Sequence, residues 1–245
     1  MLDETRLGDI TIWLVAGILY VLDAAKLLSP RDLLLVEAGP SGYLTPVFRA
    51  YPLTLAGRVL VFGPLLQPYR GVFVAPWGQT WTEPAKIEAN LEALAGLRSS
   101  LLVARLLATW AFGLLFIVGP ALSLIRGPTT AILYVAAAVY PAGLGALAML
   151  WWQRPSFGMT PIRCAGLGFE VLVCPAFLPN LVRKITTLHR LEADAAQILL
   201  KTGAHALTED FLGKLEARAE ELGEATDPQG QEQLRVYLAT VRSAL

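Results

Sequence analysis

The sequence predicts an α+β membrane protein: about three transmembrane helices plus a bent interfacial segment, a small β-rich insert and a C-terminal helical region. Three observations point there. Apolar residues make up 55% of the 245-residue chain and charged residues 16%, against roughly 25% charged in soluble domains; the mean hydropathy is +0.52. The apolar excess is concentrated in long runs, two of which (Leu106–Ile125 and Ala131–Trp152) contain no charge. The remaining stretches carry the short-range patterns of strands or of amphipathic helices.

Residues 1–30 are expected to form an N-terminal transmembrane anchor. Ile10–Leu28 reads ITIWLVAGILYVLDAAKLL, with an apolar centre short of the about 20 helical residues that a ~30 Å hydrocarbon core requires. On a helix, Asp23 and Lys26 lie three apart, share a face and can pair, and Lys26 can extend to the headgroups. The preceding MLDETRLGD carries three acids and one arginine, where a cleavable signal begins with basic residues. The anchor is expected to be retained.

Residues 31–81 change to a small β-rich soluble module. Short β-branched and aromatic runs alternate with Gly-Pro, Ser-Gly, Ala-Gly and Pro-Tyr punctuation. This places strands near Asp32–Glu37, Tyr43–Arg49, Leu53–Leu55, Arg58–Phe62 and Gly71–Ala75. About 50 residues is little for an independent core, so the module needs something to pack on. Its aromatics (Tyr43, Phe48, Tyr51, Phe62, Tyr69, Phe73, Trp77 and Trp81) are expected to serve core and membrane-interface packing rather than to line a ligand groove.

Residues 82–155 are read as an amphipathic helix followed by a transmembrane hairpin. Thr82 is placed as the helix cap, with Pro84 in the first turn. Ile87, Leu91, Leu94, Leu97 and Leu101 recur at helical steps, and one long helix is expected to continue from Pro84 through the first charge-free run. The RGPT turn then reverses the chain, because Gly-Pro cannot continue a helix. In the second run Ala138, Ala142 and Ala146, with Gly143 and Gly145, permit close helix approach. Pro141 is expected to kink it, and Trp151 and Trp152 to mark an interface.

Residues 156–184 hold the ambiguous stretch, LGFEVLVCPAFLPNLVRK. Leu167–Val182 is 16 residues, below the usual minimum for a span. Glu170 would sit in hydrocarbon at a cost of a few kcal/mol, and Pro175 and Pro179 each remove a helix hydrogen bond. The basic residues Lys26, Arg31, Arg98, Arg154, Arg163, Arg183, Lys184 and Arg190 all fall on one side only if this stretch does not cross. It is therefore expected to be interfacial or re-entrant.

Residues 185–245 read as a C-terminal soluble helical region. Leu188, Leu191, Ala195 and Ile198 form a first stripe. Phe211, Leu215, Arg218 and Leu222 form a second, interrupted by a charge. Asp227-Pro228 is a cap-plus-proline start signal for a last helix bearing Leu234, Leu238, Val241 and Leu245. This region is the expected partner of the amphipathic stripe after Thr82.

Chemistry is sparse. His189 and His205 are the only histidines, and with Cys164 and Cys174 they make no metal-type spacing. Glu192 and Asp194 are placed on a solvated helical face, where residues two apart diverge. No catalytic, cofactor-binding or metal residues are assigned. The polar site within or beside the membrane is assigned to Asp23, Lys26 and Glu170. Twenty basic residues balance twenty acids, which leaves no global field to recruit nucleic acid. The expected function is an integral membrane accessory or scaffold subunit that stabilises a larger assembly. Its partners would be other membrane subunits or further copies of itself, together with lipids. The alternatives are an oligomeric transporter or channel component, and a membrane-bound lipid-modifying enzyme using Glu170, Arg163, Arg183 and His189. The Ala-, Leu-, Gly- and Arg-rich composition suggests a bacterial inner (plasma) membrane, multi-pass, with soluble parts mainly cytoplasmic.

Overall fold

The computed structural model describes residues 4–38, 43–47, 54–55, 58–78, 81–202, 209–223 and 227–244. In chain order it begins with helix α1 (Glu4–Ala24) and strands β1 (Ala25–Leu28), β2 (Asp32–Ala38), β3 (Tyr43–Val47), β4 (Thr54–Leu55), β5 (Arg58–Phe62) and β6 (Val72–Pro76). Helices α2 (Pro84–Ser100), α3 (Leu102–Gly113), α4 (Gly119–Arg126), α5 (Pro128–Gln153) and α6 (Pro161–Val173) follow. The chain ends with α7 (Leu181–Leu188), α8 (Ala195–Lys201), α9 (Glu209–Gly223) and α10 (Pro228–Ala244). The molecule is thus α+β and mainly helical. Two compact units emerge: Met1–Ala25 with Pro64–Arg70 and Gly96–Ile185, and Lys26–Gly63 with Gly71–Ala95 and Thr186–Leu245.

The first unit is helical. Leu102–Arg126 and Pro128–Gln153 have mean hydropathies of 2.0 and 1.8 and, among the described residues, are the two helices long and apolar enough to cross a membrane. Only 28% and 22% of their apolar windows are buried, whereas the core helix of a soluble protein would hide most of that surface. A π-helical turn, Leu114–Val118, joins α3 to α4. Pro120 has no N–H to offer the Phe116 carbonyl, and the Gly119 N–H reaches back five residues to the Leu114 carbonyl, which makes the turn wide. Gly127, at φ 84°, and Pro128 then make the reversal into α5. Helix α5 runs unbroken through Pro141.

Helix α1 docks on this run through two aromatics. The outer edge of the Trp13 indole stands where a Cβ at Gly119 would be, and its Nε1 donates to Ser123 Oγ at 2.8 Å, one turn further on. Tyr20 packs against Phe112 and Phe116 at ring distances of 5.7 and 5.0 Å. Helix α6 packs on α5 through Cys164, Gly168 and Val171, all buried. A Cβ at Gly168 would stand 2.6 Å from Leu147 Cδ1, so glycine permits the close crossing.

In the second unit, β3-β2-β6 and β1-β5-β4 form two three-stranded sheets. β2 runs antiparallel to both its neighbours, with Leu34 opposite Val47 and Val74. Leu28, Leu34, Val36, Val59, Val61 and Val72 make a shared core between the sheets. Alternation sends Leu33 and Leu35 to the other face of β2, where they are equally buried. This strand is covered on both sides, as a module too small for its own core requires. The sequence placed five of the six described strands within a residue or two; Arg49 and Leu53, at the ends of two, lie outside the described residues.

Several expectations are corrected. Helix α1 stops at Ala24, and Ala25–Leu28, read as helix, is a strand beside β5. The long helix from Pro84 is interrupted, since α2 ends at Ser100 and Leu101 is a turn residue before α3. Thr82 does not cap α2. Its hydroxyl accepts the Asp194 N–H at 3.3 Å, and its backbone exchanges hydrogen bonds with the Gln197 amide. Residues 189–194 are not helical, because Arg190 bridges to Val74 and the Leu191 N–H bonds to the Val74 carbonyl at 2.8 Å. Asp194 is buried rather than solvated. It caps α8 through the Ala196 N–H at 2.9 Å and accepts the Tyr237 hydroxyl at 2.9 Å.

Other expectations hold. Ile87, Leu94, Leu97 and Leu101 are buried. The C-terminal region contacts α2 through Glu192 N–H to Asn90 (3.0 Å) and Lys201 to Glu88 (2.5 Å). Asp227 caps α10 through the Gly230 N–H at 3.0 Å. Arg218 interrupts the α9 stripe because it donates to the carbonyls of Pro30 and Asp32, each at 3.2 Å, and covers Trp77 at 5.7 Å. Of the aromatics in the β-rich stretch, Phe73 and Trp77 are core residues, whereas Tyr43, Phe62, Tyr69 and Trp81 are exposed. Phe48, Tyr51, His205 and Leu245 lie outside the described residues.

Candidate functional site

The first unit assembles its polar side chains around the stretch that follows α6. The helix ends because Pro175 supplies no N–H and Cys174 adopts an extended conformation, φ −131° and ψ 92°. Pro175–Asn180 continue as a 3-10 turn, held by the Phe177 N–H to the Cys174 carbonyl at 2.9 Å. Helix α7 then brings Lys184 back to Glu170, fourteen residues earlier, with Nζ to Oε2 at 2.6 Å. A straight helix would separate these residues by about 21 Å, so the segment folds back on itself.

The fold-back carries its charges inward. Lys184 also bridges Asp23 Oδ1 at 2.7 Å; its side chain is 8% exposed, that of Asp23 14% and that of Glu170 50%. Asp23 Oδ2 accepts from Asn180 Nδ2 at 3.0 Å, and the same amide donates to the Tyr20 carbonyl at 2.9 Å. Asn180 Oδ1 in turn accepts from Arg183 Nη1 at 2.5 Å. Arg183, 2% exposed, also donates to the Tyr20 hydroxyl at 3.1 Å and to the Pro64 carbonyl. The Tyr20 hydroxyl donates onward to the Leu65 carbonyl. Lys184 Nζ stands 4.6 Å above the Phe177 ring and Arg183 Cζ 5.5 Å from the Tyr20 ring.

Of the three sequence-assigned residues, Asp23 and Glu170 meet through Lys184. Lys26 lies beyond the end of α1, in β1, so helical spacing does not pair it with Asp23. Lys184 and Arg183, read as basic residues that mark one side of the membrane, are buried. Asn180 and Tyr20 carried no sequence signal as members of the cluster. The one available hint was that Asn180, Arg183 and Lys184 follow Pro179 within five residues, a polar group too dense for a lipid-facing segment.

Chemically the cluster is balanced, with two cations and two carboxylates, and its hydrogen-bonding atoms face one another. Such a group fixes geometry: removing one member of a buried pair costs more than the pair contributes. Only Glu170 is substantially open. Of the other residues weighed for catalysis, Arg163 is exposed at the start of α6, and His189 belongs to the second unit. Among the described residues no three His, Cys, Asp or Glu side chains group to hold a metal. Cys164 is buried and Cys174 half-buried, both as free thiols. Comparison with known protein families, with curated proteins and with solved structures found no match.

Proposed function

We propose that this chain is an integral membrane accessory or scaffold subunit that stabilises a larger membrane assembly. The observation that carries the reading is a contrast within the first unit. The charged groups around the fold-back are turned inward on one another, while most of the apolar surface of Leu102–Arg126 and Pro128–Gln153 stays uncovered. In this reading α1, whose apolar part Thr11–Ala24 reaches about 21 Å, is a third and short span. The folded-back segment re-enters on the side it came from, where non-helical backbone is tolerated because protein surrounds it; Ala176, Leu178, Pro179 and Asn180 are all buried. The positive-inside pattern puts Arg98 and Arg154 on the cytoplasmic side of a bacterial inner membrane and Arg126 opposite. Native purification in mild detergent, with the mass of the intact particle, tests the function. A stoichiometric heterologous subunit is expected, and a monomer or homo-oligomer alone contradicts it.

One observation favours a second reading, a transporter or channel component: an interrupted helix beside paired charges is a common setting for ion sites in membranes. There, Glu170→Gln abolishes flux in proteoliposomes while the particle stays intact; under the accessory-subunit reading no flux exists to lose.

A further inference from the structure

The loop Pro64–Arg70, PLLQPYR, lies in sequence within the β-rich stretch, yet it belongs to the first, helical unit. Two turns shape it. The Gln67 N–H bonds to the Pro64 carbonyl at 3.2 Å, and the Arg70 N–H to the Gln67 carbonyl at 3.1 Å. Pro64 and Pro68 bring no N–H of their own. The buried Arg183 donates to the Pro64 carbonyl, and the Tyr20 hydroxyl to that of Leu65. The loop is pinned at its base and presents Leu66 at 81% exposure, with Tyr69 also exposed.

The level of the loop follows from Tyr20. Its ring packs on Phe112 and Phe116, the seventh and eleventh residues of the charge-free run Leu106–Ile125. Along a helix these lie about 9 and 15 Å past Leu106. The Tyr20 hydroxyl and the carbonyl it bonds stand within about one helical turn, ~5.4 Å, of that ring. The Leu65 carbonyl therefore falls inside the limits of the apolar run rather than beyond its end.

We infer that Pro64–Arg70 dips into the bilayer on the Arg98 side, with Leu66 among the acyl chains and Tyr69 and Arg70 toward the headgroups. The inference rests on the reading of the first unit as membrane-embedded, and extends it to a segment that the sequence assigned to a soluble module. Depth identifies lipid as the occupant, and the backbone agrees. Non-helical backbone at membrane level needs its polar groups satisfied by protein. Here two prolines remove donors, two turns use two more, and Arg183 and Tyr20 serve the carbonyls at the base. A loop in water needs no such partners, because water supplies them. Tyrosine and arginine are residue types of the headgroup layer.

The test places a nitroxide on single cysteines at Leu66, Leu144 and Ser99 of the full chain, with Cys164 and Cys174 replaced, in lipid nanodiscs. Leu144 is an exposed position midway along α5, and Ser99 an exposed position ahead of α3. Collision with oxygen is compared with collision with a water-soluble nickel chelate. The label at 66 is expected to favour oxygen, as at 144, and the label at 99 to favour nickel. Nickel preference at 66 with oxygen preference at 144 overturns the inference and leaves the membrane reading standing. Shielding of 66 from both reagents means that protein covers the loop, and also overturns it. Nickel preference at 144 as well removes the membrane reading and the inference together. A benzophenone amino acid replacing Leu66 in native membranes gives a second readout that needs no purified chain. Lipid adducts are expected, and adducts to protein alone contradict the inference.

Discussion

At the scale of single residues, Lys184 and Glu170 contribute unequally to the same ion pair. Lys184 is buried and serves two carboxylates, so Lys184→Met leaves Asp23 short of its cation in a protein interior. A loss of about 3 kcal/mol is expected, the low end for breaking a buried pair. Glu170 is half exposed, and solvent screening holds its share to under about 1 kcal/mol. Thermal unfolding of both variants in the same detergent checks the ranking; an equal or larger effect of Glu170→Gln contradicts it. In the second unit, burial and the adjacent Asp194 carboxylate push the Tyr237 hydroxyl far above its ordinary range. A raised folded-state value means that the native state keeps a proton the unfolded chain releases above about pH 10. This group therefore adds no pH dependence to stability below about pH 10, and stability falls as pH rises further. Tyr237→Phe loses a hydrogen bond worth about 1 kcal/mol at neutral pH and should show a shallower alkaline decline. Denaturant titrations between pH 8 and 11 measure both slopes, and parallel declines would remove Tyr237 as the cause.

At the scale of elements, the docking of α1 depends on the absence of a side chain at Gly119. Gly119→Ala must expel the Trp13 ring, an overpacking cost of about 1–3 kcal/mol. Ser123→Ala removes only the hydrogen bond, about 1 kcal/mol. A melt in which Ser123→Ala is the more damaging would mean that the indole is held by polarity rather than by fit. Elements whose signal is local were legible in the sequence. The strands of the β-rich stretch were bounded by turn residues, Asp227-Pro228 announced α10 by a cap and a proline, and the Ile87–Leu101 stripe was periodic. The misread elements are those settled by distant partners. AKLL, at 25–28, continues an apolar helix by composition, yet pairing with β5 makes it a strand. Residues 189–194 continue a helical stripe, yet an alignment with Val74 straightens them. Local propensity was overridden in both cases by tertiary hydrogen bonds. The candidate site was half legible for the same reason. Charges in an apolar run singled out Asp23 and Glu170, but nothing local says that a chain will turn at Cys174 and bring Lys184 between them.

At the scale of the whole molecule, the proposed topology takes the chain across the membrane through its apolar helices and returns the segment between α6 and α7 to the side it left. The most direct measurement is site-directed labelling in sealed vesicles by a membrane-impermeant thiol reagent. Single cysteines replace Ser99, Thr129 and Ser243 in a chain whose Cys164 and Cys174 are changed to serine and alanine. All three positions are exposed. Ser99 and Ser243 are expected to react from one side and Thr129 from the other. Reaction of Ser243 with Thr129 would show that the segment crosses; reaction of all three from the same side would show that Leu102–Gln153 does not.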